Sequence, residues 1–321
     1  MTAAHPPARA FLTTRIRSKS TGEVALAAMT LAVVAWSFGP VFVREIGAST
    51  PTIAFWRMLA AQPVMIGAAY LAGGRLSLPL LRRCVWPGVL FALSLVTSFA
   101  SYQHTSIANA TLIGALQPAA ILVVAPRLFG DRSTPRQLAA ATAAFAGMVV
   151  VVLGAGKTSG AGWLGDLYAV ANLAIWTVYY IRVKRVRNEG LHAPSFLAGV
   201  FLVAWLVLTP WALLVSGDLG SVSARGFGFV IAMALGPGLL GHGLSTWAQR
   251  HLDISVSSLV TLLQPVLSTL SAWWLYDERL VPIQLAGALV VLVGLAGIMW
   301  ESRRPAAVEV GSALSVALDP G

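Results

Sequence analysis

Only one cysteine, Cys84, occurs in the 321 residues. An intrachain disulfide is therefore impossible, and no cysteine-built metal site can form. Charge is also scarce. Asp, Glu, Lys and Arg make up 11% of the chain, against roughly 25% in a soluble domain. Hydrophobic residues reach 57% and the mean hydropathy is +0.77. A water-soluble core cannot hide that much apolar surface, so the chain reads as a membrane protein. No Asp or Glu lies in the middle of a long apolar run. Glu23, Glu45 and Asp166 all fall near run ends, which argues against proton coupling through an intramembrane carboxylate. A His-Glu-x-x-His run, a carboxylate pair and a phosphate loop are also missing, so a membrane-embedded enzyme has little support. His104 and His251 fall in loops on opposite sides of the membrane and cannot share a metal. No cofactor is expected.

What is present is a series of apolar runs, each near the roughly 20 residues that a helix needs to cross the hydrocarbon layer. They cover 24–43, 51–72, 85–103, 108–128, 137–154, 163–183, 193–215, 227–247, 255–275 and 282–300. Helices satisfy every backbone polar group inside lipid. A β-barrel would instead show alternating strands of about ten residues. The basic start (Arg9, Arg15, Arg17, Lys19) resembles the front of a signal peptide. The run behind it is too long for one, and no small-residue cleavage site follows. It is read as a retained first span.

The net charge of +10 is a topology signal. With the N-terminus inside, 17 of the 22 Lys and Arg residues fall on the cytoplasmic side. Four (Arg44, Lys157, Arg225, Arg279) fall outside, and Arg57 lies within a span. This positive-inside bias leaves no reason to invoke nucleic acid. It places a multi-pass protein in the cell membrane with both termini cytoplasmic and the lipid bilayer as its surroundings.

The chain also repeats itself. Leu116-Gln117-Pro118, Pro135-Arg136-Gln137 and Gly147 return 147 residues later as Leu263-Gln264-Pro265, Pro282-Ile283-Gln284 and Gly294. The turn at Asp131-Arg132 falls inside and its mate at Glu278-Arg279 falls outside. Five spans per half, an odd number, invert one half against the other. The expected fold is an all-α membrane protein with ten transmembrane helices in two inverted five-helix repeats. The repeats cover 23–155 and 161–303, between cytoplasmic tails at 1–22 and 304–321. The tails read as disordered, and a Gly/Ser-rich segment at 155–160 joins the repeats. Inverted repeats are a signature of secondary transporters, because exchanging the conformations of two similar halves turns an inward-open state into an outward-open one. A channel or membrane adaptor is the alternative.

Several stretches resemble the drug/metabolite transporter superfamily, specifically its EamA-type ten-helix members. They are Ala35-Trp36-Ser37-Phe38, Ala54-Phe55-Trp56-Arg57-Met58-Leu59-Ala60, and Ser101-Tyr102 through Ala108-Asn109-Ala110 to Gln117-Pro118. Asp277-Glu278-Arg279-Leu280 followed by Gln284 and Gly287 completes the set. The likeness covers both halves. Asp131, Ala140 and Ser37 depart from the residues usual in that family. The resemblance implies a carrier of small metabolites such as amino acids or nucleosides, often exported. It also implies a central pocket lined mainly by the first, third, fourth, sixth, eighth and ninth spans.

Six residues are candidates for contact with a small-molecule substrate: Trp36, Gln117, Asn172, Trp176, His242 and Gln264. Pro118 and Pro265 each remove a backbone hydrogen bond and bend their helix. Gln117 and Gln264 beside them either line a cavity or bond a neighbouring helix. Trp36 and Trp176 occupy corresponding places in the first and sixth spans, where they stack on a planar cargo or anchor at the interface. Asn172 lies one turn before Trp176. His242, between two glycines, suits a proton relay or a buried neutral bond. Tyr179 and Tyr180 read as interface anchors, and Trp273 and Trp274 as an outer aromatic belt. Arg57 either snorkels to the interface and caps carbonyls or binds an anionic group. Gly147, Gly287, Gly294 and Gly297 permit close helix packing or a dimer face. The oligomeric state is not readable from the sequence.

Overall fold

The computed structural model describes residues 8–129, 134–155, 162–187, 190–249, 251–252 and 254–302. Among these residues every regular element is helical, and each of the ten apolar runs is helix. In chain order the elements are α1 (Ala8–Ser37), α2 (Gly39–Ile46), α3 (Thr50–Leu71), α4 (Leu78–His104), α5 (Ile107–Gly114), α6 (Gln117–Phe129), α7 (Pro135–Ala155), α8 (Trp163–Arg187) and α9 (Ala193–Val215). Then come α10 (Ala224–Met233), a π-helical segment (Ala234–Gly241), α11 (His242–Ala248), α12 (Ile254–Thr261), α13 (Leu263–Tyr276) and α14 (Pro282–Ser302). Residues 8–22, expected as a disordered tail, are the opening turns of α1. Ala, Leu and Arg favour helix, and no proline follows Pro7 until Pro40. The tail at 304–321 and the segment at 156–161 lie outside the described residues.

Prolines divide four of the runs. Pro40 has no N–H to give the carbonyl of Trp36, and the helix breaks at Phe38 between α1 and α2. The freed end is held from the side, where Ser268 Oγ donates to the carbonyl of Ser37 at 3.0 Å. Pro118 follows the break between α5 and α6, and Pro265 the break at Leu262 between α12 and α13. Pro237 sits inside the π-helical segment. The bends expected at Pro118 and Pro265 are present, and those at Pro40 and Pro237 are additional.

Seven stretches among the described residues are long and apolar enough to cross a membrane: Thr21–Ile46, Leu78–His104, Ile107–Val124, Pro135–Gly154, Ala193–Val215, Ala224–Ala248 and Pro282–Glu301. Of the remaining three runs, α3 is made less apolar by Arg57 and Gln62, and α8 by Asp166 and Asn172. Large apolar side chains face outward, including Leu71, Leu153, Leu214 and Trp274. Such an outer surface suits lipid and not water. Trp273 and Trp274 are both exposed, as expected of a belt.

The interior has two main parts. One joins α3, α4, α9 and α10 through Ile53, Met58, Phe91, Phe201 and Met233. The other joins α5–α8 with α14 through Ile113, Leu116, Ala144, Leu173 and Leu295. The glycines settle their own question, because they pack α7 against α14 within the chain. A Cβ on Gly147 would come within 2.8 Å of the carbonyl oxygen of Gly287, and one on Gly294 within 2.8 Å of that of Ala140. Shifting the first pair by 147 residues gives the second. The same shift relates two helix starts. Thr134 N–H donates to Gln137 Oε1 at 2.9 Å, and Val281 N–H donates to Gln284 Oε1 at 3.0 Å. In each a Gln at the third helical position satisfies a backbone donor that the helix cannot.

Candidate transport pathway

Trp36 ends α1 against the π-helical segment. Its indole Nε1 donates to the carbonyl of Pro237 at 3.1 Å, an acceptor that the irregular backbone makes available. Gly241 permits the approach, because a Cβ there would lie 2.3 Å from Trp36 Nε1. The indole then meets His242 edge-on, with ring centroids 5.5 Å apart. His242 in turn faces Phe201 at 6.3 Å. Phe201 stacks on Phe91 at 5.0 Å, and Phe91 meets Trp176 at 6.0 Å. Trp176 stacks on Tyr179 at 4.6 Å with 18° between the planes. A continuous aromatic ladder thus crosses the molecule from α1 to α8 through α11, α9 and α4.

Three of the six sequence candidates, Trp36, Trp176 and His242, lie on this ladder. Asn172, one turn below Trp176, accepts from Ser94 Oγ at 2.8 Å and from Thr97 Oγ1 at 3.4 Å. Gln264 is tied to the end of α1 by its backbone, with its carbonyl accepting from Ser37 Oγ at 3.5 Å. Gln117 is apart, and no described contact joins it to the ladder. Its Nε2 is buried without a protein partner among the described residues. Tyr179, expected at the interface, is instead buried beneath Trp176, while Tyr180 is exposed. Phe91 and Phe201 carry the middle of the ladder and were not legible as site residues. In sequence they are two more apolar residues in apolar helices.

Arg57 does not snorkel. It is 6% exposed, with its guanidinium over the ring of Phe99, 5.5 Å from the centroid. Its Nε and Nη1 have no protein hydrogen-bond partner among the described residues, so carbonyl capping does not account for them. Its helix, α3, packs against the π-helical segment that leads into His242. A cation–π contact contributes about 2 kcal/mol or somewhat more in a dry site. Burying an uncompensated charge costs several kcal/mol. Phe99 alone does not offset that cost.

A polar cluster closes one end of the bundle. Arg44, on α2, donates from Nη1 to Glu278 Oε1 at 2.5 Å, from Nε to the carbonyl of Tyr102 at 2.7 Å, and from Nη2 to that of Thr105 at 2.8 Å. The second carboxylate oxygen of Glu278 accepts from Ile107 N–H at 2.9 Å, at the start of α5. Asp277 ends α13 at φ 51°, a left-handed position that Asp tolerates, and this turn brings Glu278 inward. Glu45 accepts from Tyr276 at 3.0 Å and from Arg225 at 2.6 Å. In the sequence Glu278 reads as a turn residue within the repeat. Its signal was its rarity, an acid in a chain with 12.

A groove of about 480 Å³ lies elsewhere, between α6 and α8, lined by Ala120, Val124, Leu173, Thr177 and Val178 with Arg182 among them. It meets the side of α8 and does not include Trp36 or His242.

These features define a polytopic helical membrane protein, with broken helices and an aromatic and polar interior. The model of the EamA-like transporter family matches it twice, over residues 24–153 and 163–300. The chain belongs to the EamA-like transporter family and is a membrane transporter, not an enzyme. It is 28% identical over 198 residues to a probable amino-acid metabolite efflux pump of Escherichia coli, covering 57% of this chain and 64% of that protein. It is 29% identical over 179 residues to an aromatic amino acid exporter of Ancylobacter novellus, covering 54% of this chain and 60% of that one. The chain therefore aligns with somewhat under two thirds of either relative. An uncharacterized transporter of Archaeoglobus fulgidus matches over 96% of its length at 22% identity. A solved structure described as a crystal structure of protein shares the fold, with TM-score 0.60, 24% identity, 93% of this chain and 99% of that chain covered.

Proposed function

We propose that the protein exports a small amino-acid-like metabolite, with an aromatic side chain, across the cell membrane by alternating access. In this reading the chain crosses ten times as two inverted five-helix repeats, with both termini cytoplasmic. The observation that carries it is the ladder from Trp36 through His242 and Phe91 to Trp176, which offers planar faces beside broken helices. Support for the inversion comes from paired contacts: Gly147 with Gly287, and Gly294 with Ala140, exchange under the repeat shift. Trp36 and Trp176, Asn172, His242, Gln117 and Gln264 remain the proposed substrate contacts. The names of two relatives, an amino-acid metabolite efflux pump and an aromatic amino acid exporter, agree with an outward-directed amino-acid cargo.

The Arg44–Glu278 cluster closes the outer end in this reading, because Arg44 and Arg279 fall outside under the charge bias. Opening outward then requires the two halves to part there.

Counterflow tests the proposal. Liposomes containing the purified protein are preloaded with unlabelled phenylalanine and diluted into labelled phenylalanine. The label should rise above equilibrium and then decay. Leakage without such an overshoot would favour the channel alternative. No uptake across a panel of aromatic and aliphatic amino acids would remove the amino-acid cargo.

A further inference from the structure

We propose that Arg57 is the anchor for the carboxylate of the transported molecule. The inference deepens the exporter reading by assigning one end of its cargo. Arg57 is a single cation held inside the bundle by α3. Two guanidinium nitrogens carry no protein partner, and among the described residues no carboxylate pairs with it. On one side it lies against the ring of Phe99 and near the Tyr102 hydroxyl. On the other its helix packs against the π-helical segment that leads into His242, the ladder residue between Trp36 and Phe201.

Guanidinium nitrogens form a planar fork that matches the two oxygens of a carboxylate. One buried cation neutralises one negative charge. A carboxylate meets that condition, whereas a doubly charged phosphate would leave an unpaired charge in a low-dielectric site. A cargo held by its carboxylate at Arg57 would place its remaining atoms toward His242 and Trp36, where the ring faces lie. The carboxylate group and an aromatic side chain would then be read by two neighbouring elements, α3 and α11.

Binding is separable from transport in a thermal-shift titration of the detergent-solubilised full chain. The probes are 3-phenylpropionate, which keeps the ring and the carboxylate, and 3-phenylpropanol, which keeps the ring and carries no charge. The wild type should be stabilised by the carboxylate and much less by the alcohol. Arg57→Gln should lose the carboxylate response, with affinity down by at least about tenfold. Arg57→Lys keeps the buried charge but not the fork, and should retain the preference with affinity weakened about tenfold. It keeps the test readable if Arg57→Gln does not fold. Equal stabilisation by both probes, or unchanged affinity for 3-phenylpropionate in either variant, would overturn the proposal. A carboxylate-specific shift without phenylalanine counterflow would leave Arg57 as the anchor and remove the amino-acid export reading instead.

Discussion

Gly147 and Gly287 face each other across α7 and α14 so closely that a Cβ on either would come within 2.8 Å of the other's carbonyl oxygen. Neither helix can yield without separating the two backbones. Gly147→Val should therefore destabilise the protein by about 1–3 kcal/mol through overpacking. Thermal unfolding in detergent would show it as a lower midpoint. Gly67→Val, where a Cβ would meet nothing within 4 Å, should shift the midpoint far less. Equal effects at the two sites would count against the close-packing account.

Glu278 holds Arg44 on one oxygen and the first backbone N–H of α5 on the other. Glu278→Gln removes the charge and leaves the guanidinium poorly paired. The expected cost is about 2 kcal/mol, below the figure for a fully buried pair because Arg44 keeps some exposure. A double-mutant cycle with Arg44→Gln should give a coupling energy of about 1 kcal/mol or more. Additive effects would mean that the two side chains act independently.

Asp218 ties the loop after α9 to the start of α3. Burial alone would raise its pKa. Hydrogen bonds from Ser49 Oγ, Thr52 Oγ1, Ser49 N–H and Ser216 Oγ outweigh that and hold it well below the usual carboxylate range. A depressed folded-state pKa means that the stabilisation is complete above the ordinary value of about 3.9 and is lost as pH falls below it. Wild-type thermal stability should thus fall more steeply below about pH 4 than that of Asp218→Asn. Parallel curves for the two proteins would contradict the assignment.

Trp36 donates to the π-helical segment and meets His242 edge-on. Trp36→Ala should raise the half-saturation concentration for phenylalanine in counterflow by about tenfold, equivalent to ~1.4 kcal/mol. Alanine transport, if present, should change little.

His242 is the ladder's one imidazole. If it relays protons, an imposed pH gradient should drive accumulation in the wild type and not in His242→Ala, whose counterflow should be weakened, as at a substrate contact, but still measurable. A gradient response that survives the substitution excludes His242 as the coupling residue.

The helical runs were legible because lipid demands long apolar helices and because Pro118 and Pro265 can only interrupt them. The glycines at 147, 287 and 294 were legible as close contacts, but their partner was not, since a smooth helix face fits a neighbour in the same chain or in another. Trp36, Trp176 and His242 stood out as rare side chains. Phe91 and Phe201 did not, because in a chain of apolar helices nothing in the sequence separates a ring that faces inward from one that faces lipid. Gln117 illustrates the reverse. Its motif recurs in register, yet no described contact joins its side chain to the ladder. Arg57 was visible as a charge, but its direction depended on where Phe99 and Tyr102 lie, which only the folded bundle reveals.

The π-helical segment from Ala234 to Gly241 has a consequence for how sequence is aligned with position here. Each residue of an α-helix turns the chain by about 100°, and a π segment carries surplus residues within its turns. Losing one residue between Pro237 and Gly241 would let the segment tighten toward an α-helix, with the rod beyond kept nearly in phase and the His242 ring still beside Trp36. An added residue finds no such slack and would swing everything beyond by about 100°. Along this rod the interior is addressed by angle and hardly at all by distance. A single-residue deletion in 234–241 should therefore be tolerated better than a single-residue insertion there.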